Sequence, residues 1–341
     1  MELQDFNPTQ DGADVDVLVI GGGAAGLNGA LQLVRQRRSV LVVDAGEPRN
    51  APAAHMQGYL GHDGLSPAEL LARGRDEVAG YGGVVRRGRV ESLTGGSGEF
   101  MARISVGGTG AAGTAGAAEN AGPMSTVRAR RVLVTTGLVD ELPQVEGLAP
   151  RWGKDVVHCP YYHGWEVRDK SIAVLASGAN ATHQALLFRQ LSDNVVLVPQ
   201  GADPSEEQLE LMRARGIRMA PASAVEVLVS DDAITGLRLA DGSLLSAEVV
   251  TVGTRMVAKA GFLSDLGLEA QEHPSGMGEY LPSGMGGSTA VPGVWLAGNV
   301  TDLSAQVGAA AAAGAMAGAQ INAQMVMEEA NAAVAALAAR A

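Results

Sequence analysis

The stretch His158-Cys159-Pro160-Tyr161-Tyr162-His163-Gly164-Trp165 carries one thiol, two phenols and two imidazoles, and Cys159 is the only cysteine in the 341-residue chain. Cys159 and Tyr162 have the spacing of a Cys-x-x-Cys redox pair in which a phenol replaces the second thiol. A lone thiol closes no intramolecular disulfide, so redox cycling through a paired centre in this chain is excluded by stoichiometry. What remains is proton chemistry. His163 is the stronger base candidate, because an imidazole exchanges protons near neutral pH without large tuning. Tyr162 suits hydrogen-bond donation better than abstraction, since a phenol titrates at about 10. Each has a plain structural alternative: a ring filling a gap for Tyr162, a histidine tied to a carbonyl for His163, and a small buried residue for Cys159. His158 and His55 are weaker candidates. The six histidines show no metal-ligand spacing, and no Ser-His-Asp arrangement is legible.

The elements that would position such a site begin near the start of the chain. Residues 15–20 (VDVLVI) read as a buried parallel strand and run into Gly21-Gly22-Gly23-Ala24-Ala25-Gly26, a G-x-G-x-x-G turn. A helical pattern (LNGALQLVRQ) follows, and a second strand (SVLVVDA) ends in Asp44. In this order the pattern is specific. Gly21 permits the tight turn, Gly23 lets backbone approach a pyrophosphate, and Gly26 lets helix and strand pack closely. The helix N-terminus stabilises phosphate charge, and Asp44 accepts hydrogen bonds from a ribose. The sequence therefore predicts a dinucleotide site.

The far end of the chain selects between dinucleotides. Residues 291–300 (VPGVWLAGNV) lead through Thr301-Asp302 to Ser304-Ala305-Gln306-Val307, and residues 132–137 read VLVTTG. With the Cys-x-x-Tyr stretch, these motifs resemble the low-molecular-weight thioredoxin reductases. Within that group the chain is most similar to the dithiol oxidases of microbial natural-product pathways, whose sites read HCPYCHG. The resemblance covers residues 15 to about 322 and implies FAD as cofactor. It also implies an α/β fold of two Rossmann-like three-layer domains of thioredoxin reductase type and a homodimer. The FAD domain would be discontinuous, 1–148 and 258–341, with 149–257 inserted as a domain like that for NAD(P)H. Carried over position by position, the FAD contacts would be Gly21, Gly23, Ala25, Gly26, Asp44, Ala45, Arg49, Asn50, His55, Val90, Thr136, Gly137, Gly298, Asn299, Gln306 and Val307. Tyr162 stands where the family places its flavin-facing cysteine, and Cys159 where it places the exchanging one. Asn299 replaces a usual Asp that bonds the ribityl chain, a role an amide can also fill. A helix starting near Ser304 would present its positive end to the flavin.

The inserted region departs from a working nicotinamide site. A strand in residues 170–176 (KSIAVLA) meets the turn Ala176-Ser177-Gly178-Ala179-Asn180-Ala181, where alanine replaces the first fingerprint glycine. The next strand ends in Gln200-Gly201, with neither an acid for a ribose nor an arginine for a 2′-phosphate. This argues against tight NADPH binding and leaves oxygen to reoxidise the flavin. Residues 234–250 read as a hairpin around Ala240-Asp241-Gly242. Residues 107–122 are low-complexity and read as a surface loop without function.

Composition bounds the rest. A net charge of −12 argues against nucleic acid as a partner. The first residues lack a basic n-region and apolar core, so no secretory signal is expected. No stretch qualifies as a membrane span. One cysteine fits a reducing cytoplasm. The sequence thus predicts an FAD-dependent oxidoreductase without a redox dithiol and without a metal. It would oxidise a small molecule directly, with oxygen as acceptor, in specialised metabolite biosynthesis. The alternatives are flavin-dependent isomerisation or cyclisation without net redox change, and a non-catalytic flavoprotein partner.

Overall fold

The computed structural model describes residues 3–5, 7, 14–96, 98–106 and 124–340. The low-complexity segment 107–122 lies outside them. The first sheet is built on β1 (Gln4–Asp5), β2 (Asp14–Ile20), β3 (Val40–Asp44), β4 (Val84–Arg87), β5 (Arg89–Gly96), β6 (Glu99–Ser105) and β7 (Met124–Val134), in the order β1-β4-β3-β2-β7-β6-β5. Strands β1 to β4 and β7 pair in parallel, whereas β5, β6 and β7 form an antiparallel flap. Val17, Leu18 and Val19 are fully buried, as a parallel strand covered on both faces requires. The late strand Val294–Leu296 returns to pair in parallel with β7.

Two helices from opposite ends of the chain cover one face of this sheet. They are α1 (Ala24–Val34) and the C-terminal helix, and they meet through glycines. A Cβ on Gly314 would lie 1.9 Å from the Ala25 carbonyl oxygen, and one on Gly318 would lie 2.6 Å from that of Gly29. Helix α2 (Pro67–Gly80) flanks α1. Its N-terminus is capped by Ser66, whose side chain accepts from the Glu69 N–H.

Strand β8 (Leu138–Glu141) leads out of the first sheet towards a second, whose order is β12-β11-β10-β16-β9. Its strands β9 (Val156–Val157), β10 (Ile172–Ala176), β11 (Val195–Pro199), β12 (Arg218–Met219) and β16 (Val249–Val252) are all parallel. The helices between them are the single turn α3 (Pro160–His163), then α4 (Ala181–Phe188) and α5 (Glu206–Ala214). A separate three-stranded sheet contains β13 (Ala224–Ser230), β14 (Ala233–Leu239) and β15 (Leu244–Ser246). Strand β17 (Arg255–Ala258) returns antiparallel to β8, so the chain enters and leaves the second sheet along a paired ribbon. The C-terminal helix, α6, runs Val307–Ala338.

The hairpin expected over 234–250 is corrected. Only residues 244–246 pair with β14; the chain then turns, and Val249–Val252 joins the parallel sheet beside β10. Val249, Val250 and Val252 are fully buried, which suits the centre of a parallel sheet and not a solvent-facing hairpin arm. Among the described residues, no helix is long and apolar enough to cross a membrane.

The α1–α6 crossing tolerates no side chain at Gly314. Gly314→Ala should destabilise the protein by about 1–3 kcal/mol, because a methyl against a backbone carbonyl forces two packed helices apart. Met316→Ala, on an exposed position of the same helix, should leave the thermal unfolding midpoint nearly unchanged. Calorimetry of the two variants checks the contrast.

Candidate functional site

The glycine turn is held by its neighbours. Gly21 has φ +106°, a left-handed conformation that favours glycine, and its N–H donates to the Val43 carbonyl. The Thr135 hydroxyl donates to the carbonyls of Ile20 and Gly21 at 3.0 and 2.9 Å, so the turn after β7 locks the turn after β2. A Cβ on Gly26 would sit 1.9 Å from the Gly21 oxygen, which brings helix α1 hard against the turn. Gly22, an unspecified position of the pattern, is also confined: a Cβ there would meet the Asp44 carboxyl at 2.7 Å. In front of Gly23 nothing lies within 4 Å. Helix α1 starts there with no side-chain cap and no acid in its first turn, leaving its N–H groups open to an anion.

That open space belongs to a cavity of about 560 Å³ bordered by both sheets. Gly21, Gly23, Ala25, Asp44, Arg49, Asn50, Thr136, Gly137, Gly298, Asn299, Gln306 and Val307 all border it, as do Cys159, Tyr162 and His163. Gly26, Ala45, His55 and Val90 do not. Gly26 is occupied in packing. Val90 points into the core of the first sheet at 6% exposure, and a ring nitrogen of the exposed His55 lies 3.0 Å from the Gly64 carbonyl. His158, named from the sequence as a weaker candidate, also borders it, and the structure adds Asp140, Trp152, Met256 and Met277.

The Cys-x-x-Tyr stretch turns at Cys159, which adopts an extended conformation before the single helical turn of α3. Pro160 fits the first helical position because that turn needs no N–H there. The Cys159 carbonyl accepts from the His163 N–H at 3.0 Å. Tyr162 and His163 pack edge to face, with centroids 4.7 Å apart. Among the described residues no side-chain or backbone group bonds the His163 ring. The buried Tyr162 hydroxyl likewise has no partner of hydrogen-bonding geometry, although Asn50 is near enough to act on its ionisation. Burial raises the Tyr162 phenol above its usual range, Asn50 opposing, so it stays a donor at neutral pH. Burial lowers both imidazoles; Glu166 opposes it at His163, and the Val252 carbonyl and Asp140 oppose it at His158. Both rings are therefore neutral near pH 7 and able to accept a proton.

One ion pair also borders the cavity. Arg49 donates to the two Asp140 oxygens at 2.7 and 2.8 Å, and the Thr254 hydroxyl adds a third bond at 2.6 Å. Burial alone would raise the Asp140 carboxyl, but Arg49 and Thr254 outweigh it and hold the group below the usual carboxylate range. The pair contributes no net charge to the cavity.

Residues 15–335 match the family model for pyridine nucleotide-disulphide oxidoreductases. The chain belongs to this family. Its relatives include a thioredoxin reductase, tcpT, of Claviceps purpurea, 31% identical over 84% of this chain and 86% of that protein. Among solved structures, that of HlmI is 40% identical, with a TM-score of 0.84 over 95% of this chain and 96% of the other. An oxidoreductase from Agrobacterium tumefaciens is 32% identical, with a TM-score of 0.81 over 92% and 99%. The family protein described here is thus an FAD-dependent oxidoreductase of thioredoxin reductase type, and its side-chain-free cradle at Gly23 beside two uncapped helix N-termini, α1 and α6, fits a dinucleotide pyrophosphate.

The expectation for Asn299 shifts in detail. Its side-chain nitrogen donates to the carbonyls of Asp302 and Ala305 at 3.0 and 2.9 Å and reaches that of Leu303 at 3.5 Å. The amide braces the loop that delivers α6 to the cavity, which a carboxylate facing three carbonyl oxygens would disrupt. Asn299→Asp should therefore weaken FAD retention although it restores the residue usual in the family. Flavin absorbance per protein after dialysis checks this; full retention would assign the amide no bracing role.

Proposed function

We propose that this family member oxidises a small molecule directly at the flavin, with no protein dithiol and without a nicotinamide donor. One observation carries the reading: Cys159, Tyr162, His158 and His163 border the same cavity as the dinucleotide turn, and only one of the four is a thiol. Bound FAD supplies a two-electron acceptor. Oxidation at a C–H beside a heteroatom or carbonyl gives up a hydride and a proton, and this chain's residues handle the proton. His163 accepts it from its unanchored ring; the Tyr162 hydroxyl, protonated and without a partner, donates a hydrogen bond to the substrate. Leu138, Met256, Met277 and Trp152 exclude water from the cavity wall. Oxygen is the final acceptor, leaving as hydrogen peroxide with the two electrons and two protons removed.

The second sheet supports the absence of a nicotinamide donor. Gln200, at the strand end where a ribose or its phosphate would be read, is spent on backbone. It donates to the Ala224 carbonyl at 3.2 Å and accepts from the Ala224 N–H at 3.0 Å. Ser177, in the degenerate fingerprint, donates to the Gly253 carbonyl at 2.6 Å. On this reading residues 149–257 form a wall over the flavin domain of 1–148 and 258–341. The resemblance to dithiol oxidases of natural-product pathways supports a role in specialised metabolism, and the thioredoxin reductase type supports a cytoplasmic homodimer.

Anaerobic screening of small molecules for bleaching of the flavin identifies a substrate. With it, Cys159→Ser should keep most turnover, whereas His163→Ala should lose about 10²–10⁴-fold, the range for a positioned acid or base. An inactive Cys159→Ser beside an active His163→Ala would mean thiol chemistry and overturn the reading.

The pH profile gives a separate check. The base must be deprotonated, and burial lowers its pKa, so activity should persist as the pH falls through about 6.5, the ordinary histidine value. An acid limb of kcat/KM above that value would contradict a buried imidazole base.

A further inference from the structure

We infer that Gln184 is a positioning residue that sets His158, which borders the cavity, as an imidazole whose one basic nitrogen is Nε2. Gln184 lies on α4 and is only 8% exposed. Its side-chain nitrogen donates to the His158 carbonyl at 2.7 Å and to the Val252 carbonyl at 3.2 Å. The His158 ring nitrogen Nδ1 lies 2.9 Å from the same Val252 oxygen. A carbonyl oxygen only accepts, so Nδ1 carries the proton, and in the neutral ring Nε2 keeps its lone pair.

The placement explains why a glutamine stands there. His158 follows β9 and Val252 ends β16, neighbouring strands of the second sheet. Gln184 staples the two strand ends where the chain passes into the Cys-x-x-Tyr turn. The amide orientation is fixed, because the reverse would set Oε1 against two carbonyl oxygens. Oε1 is left buried without a partner among the described residues. An unmet buried acceptor is costly, and an apolar side chain of similar size would avoid it, so the position keeps its amide for the two donors. His158 borders the cavity with His163, Asp140 and Arg49. Arg49 and Asp140 are committed to each other, and His158 and His163 stand beside Cys159 and Tyr162 on the same border.

The role rests on the proposed oxidation, which releases a proton, but the tautomer exists without substrate and is tested without one. In FAD-loaded protein labelled with ¹⁵N-histidine, long-range ¹H–¹⁵N spectra report which ring nitrogen is protonated. The His158 signals are those lost in His158→Gln. At neutral pH the wild-type ring should show a protonated Nδ1 and a bare Nε2. In Gln184→Leu the two tautomers should mix while flavin content is retained. A wild-type ring protonated at Nε2 overturns the inference. So does an unchanged Nδ1–H signature in Gln184→Leu, which would reduce Gln184 to packing. Should that variant fail to fold, Gln184→Met gives the same comparison, and the wild-type tautomer still tests where the proton sits. If the tautomer is as stated and no small molecule bleaches the flavin, the oxidation reading fails alone.

Discussion

Where α1 begins, three pieces of backbone come closer than any side chain would permit. The Gly21 oxygen occupies the space of a Gly26 methyl, the Ala25 oxygen that of a Gly314 methyl, and the Thr135 oxygen lies 2.5 Å from where a Gly21 Cβ would be. These contacts join residues near positions 21, 135 and 314, so one steric constraint ties the start, middle and end of the chain together. Two helix N-termini, those of α1 and α6, consequently reach the same cavity. Their partial positive charges add where an anionic cofactor must sit. Asp44, Asn299 and the Thr136–Gly137 turn take their places from the same crossing.

Much of this was legible in the sequence because it depends on local pattern. The G-x-G-x-x-G turn, the strand before it and the acid after it are contiguous signals, and the structure places Gly21, Gly23 and Asp44 at the cavity. The Thr-Gly turn and the motif from 298 to 307 were legible for the same reason. What was not legible depends on tertiary contacts. Nothing local to Asp140 announces that it pairs with Arg49, 91 residues away. Gln184 sits in an unremarkable helix, and its partners lie 26 and 68 residues distant. The parallel pairing of residues 249–252 was hidden by a turn signal that correctly marks one hairpin but not where its second arm ends. The pattern leaves Gly22 free, whereas in the structure a Cβ there would meet the Asp44 carboxyl.

Replacing one thiol by a phenol changes what the cavity can do more than what it looks like. Tyr162 sets a planar, half-buried ring with a buried hydroxyl beside His163, and the chain's single cysteine has no second thiol to pair with. Two kinds of polar group stand out at the cavity and just behind its wall. Arg49, Asp140, Thr254, Gln184 and His158 are committed to one another or to backbone. Among the described residues, the Tyr162 hydroxyl and the His163 ring make no such bond. In the proposed oxidation, the committed groups hold the cavity's shape and charge, His158 through Nδ1 alone with Nε2 left free, and the uncommitted ones meet the substrate. In the second sheet, Gln200 at the end of β11 is likewise engaged with the Ala224 backbone.

The proposed oxidation requires that the flavin's electrons come from the substrate and not from a nicotinamide. Anaerobic mixing of the FAD-loaded protein with excess NADPH, followed by the flavin absorbance, tests it most directly. On the proposed reading the flavin should stay oxidised, because Gln200, at the strand end that would read the ribose, is held by Ala224. Rapid bleaching by NADPH would contradict it and return the second sheet to the role of a working nicotinamide domain.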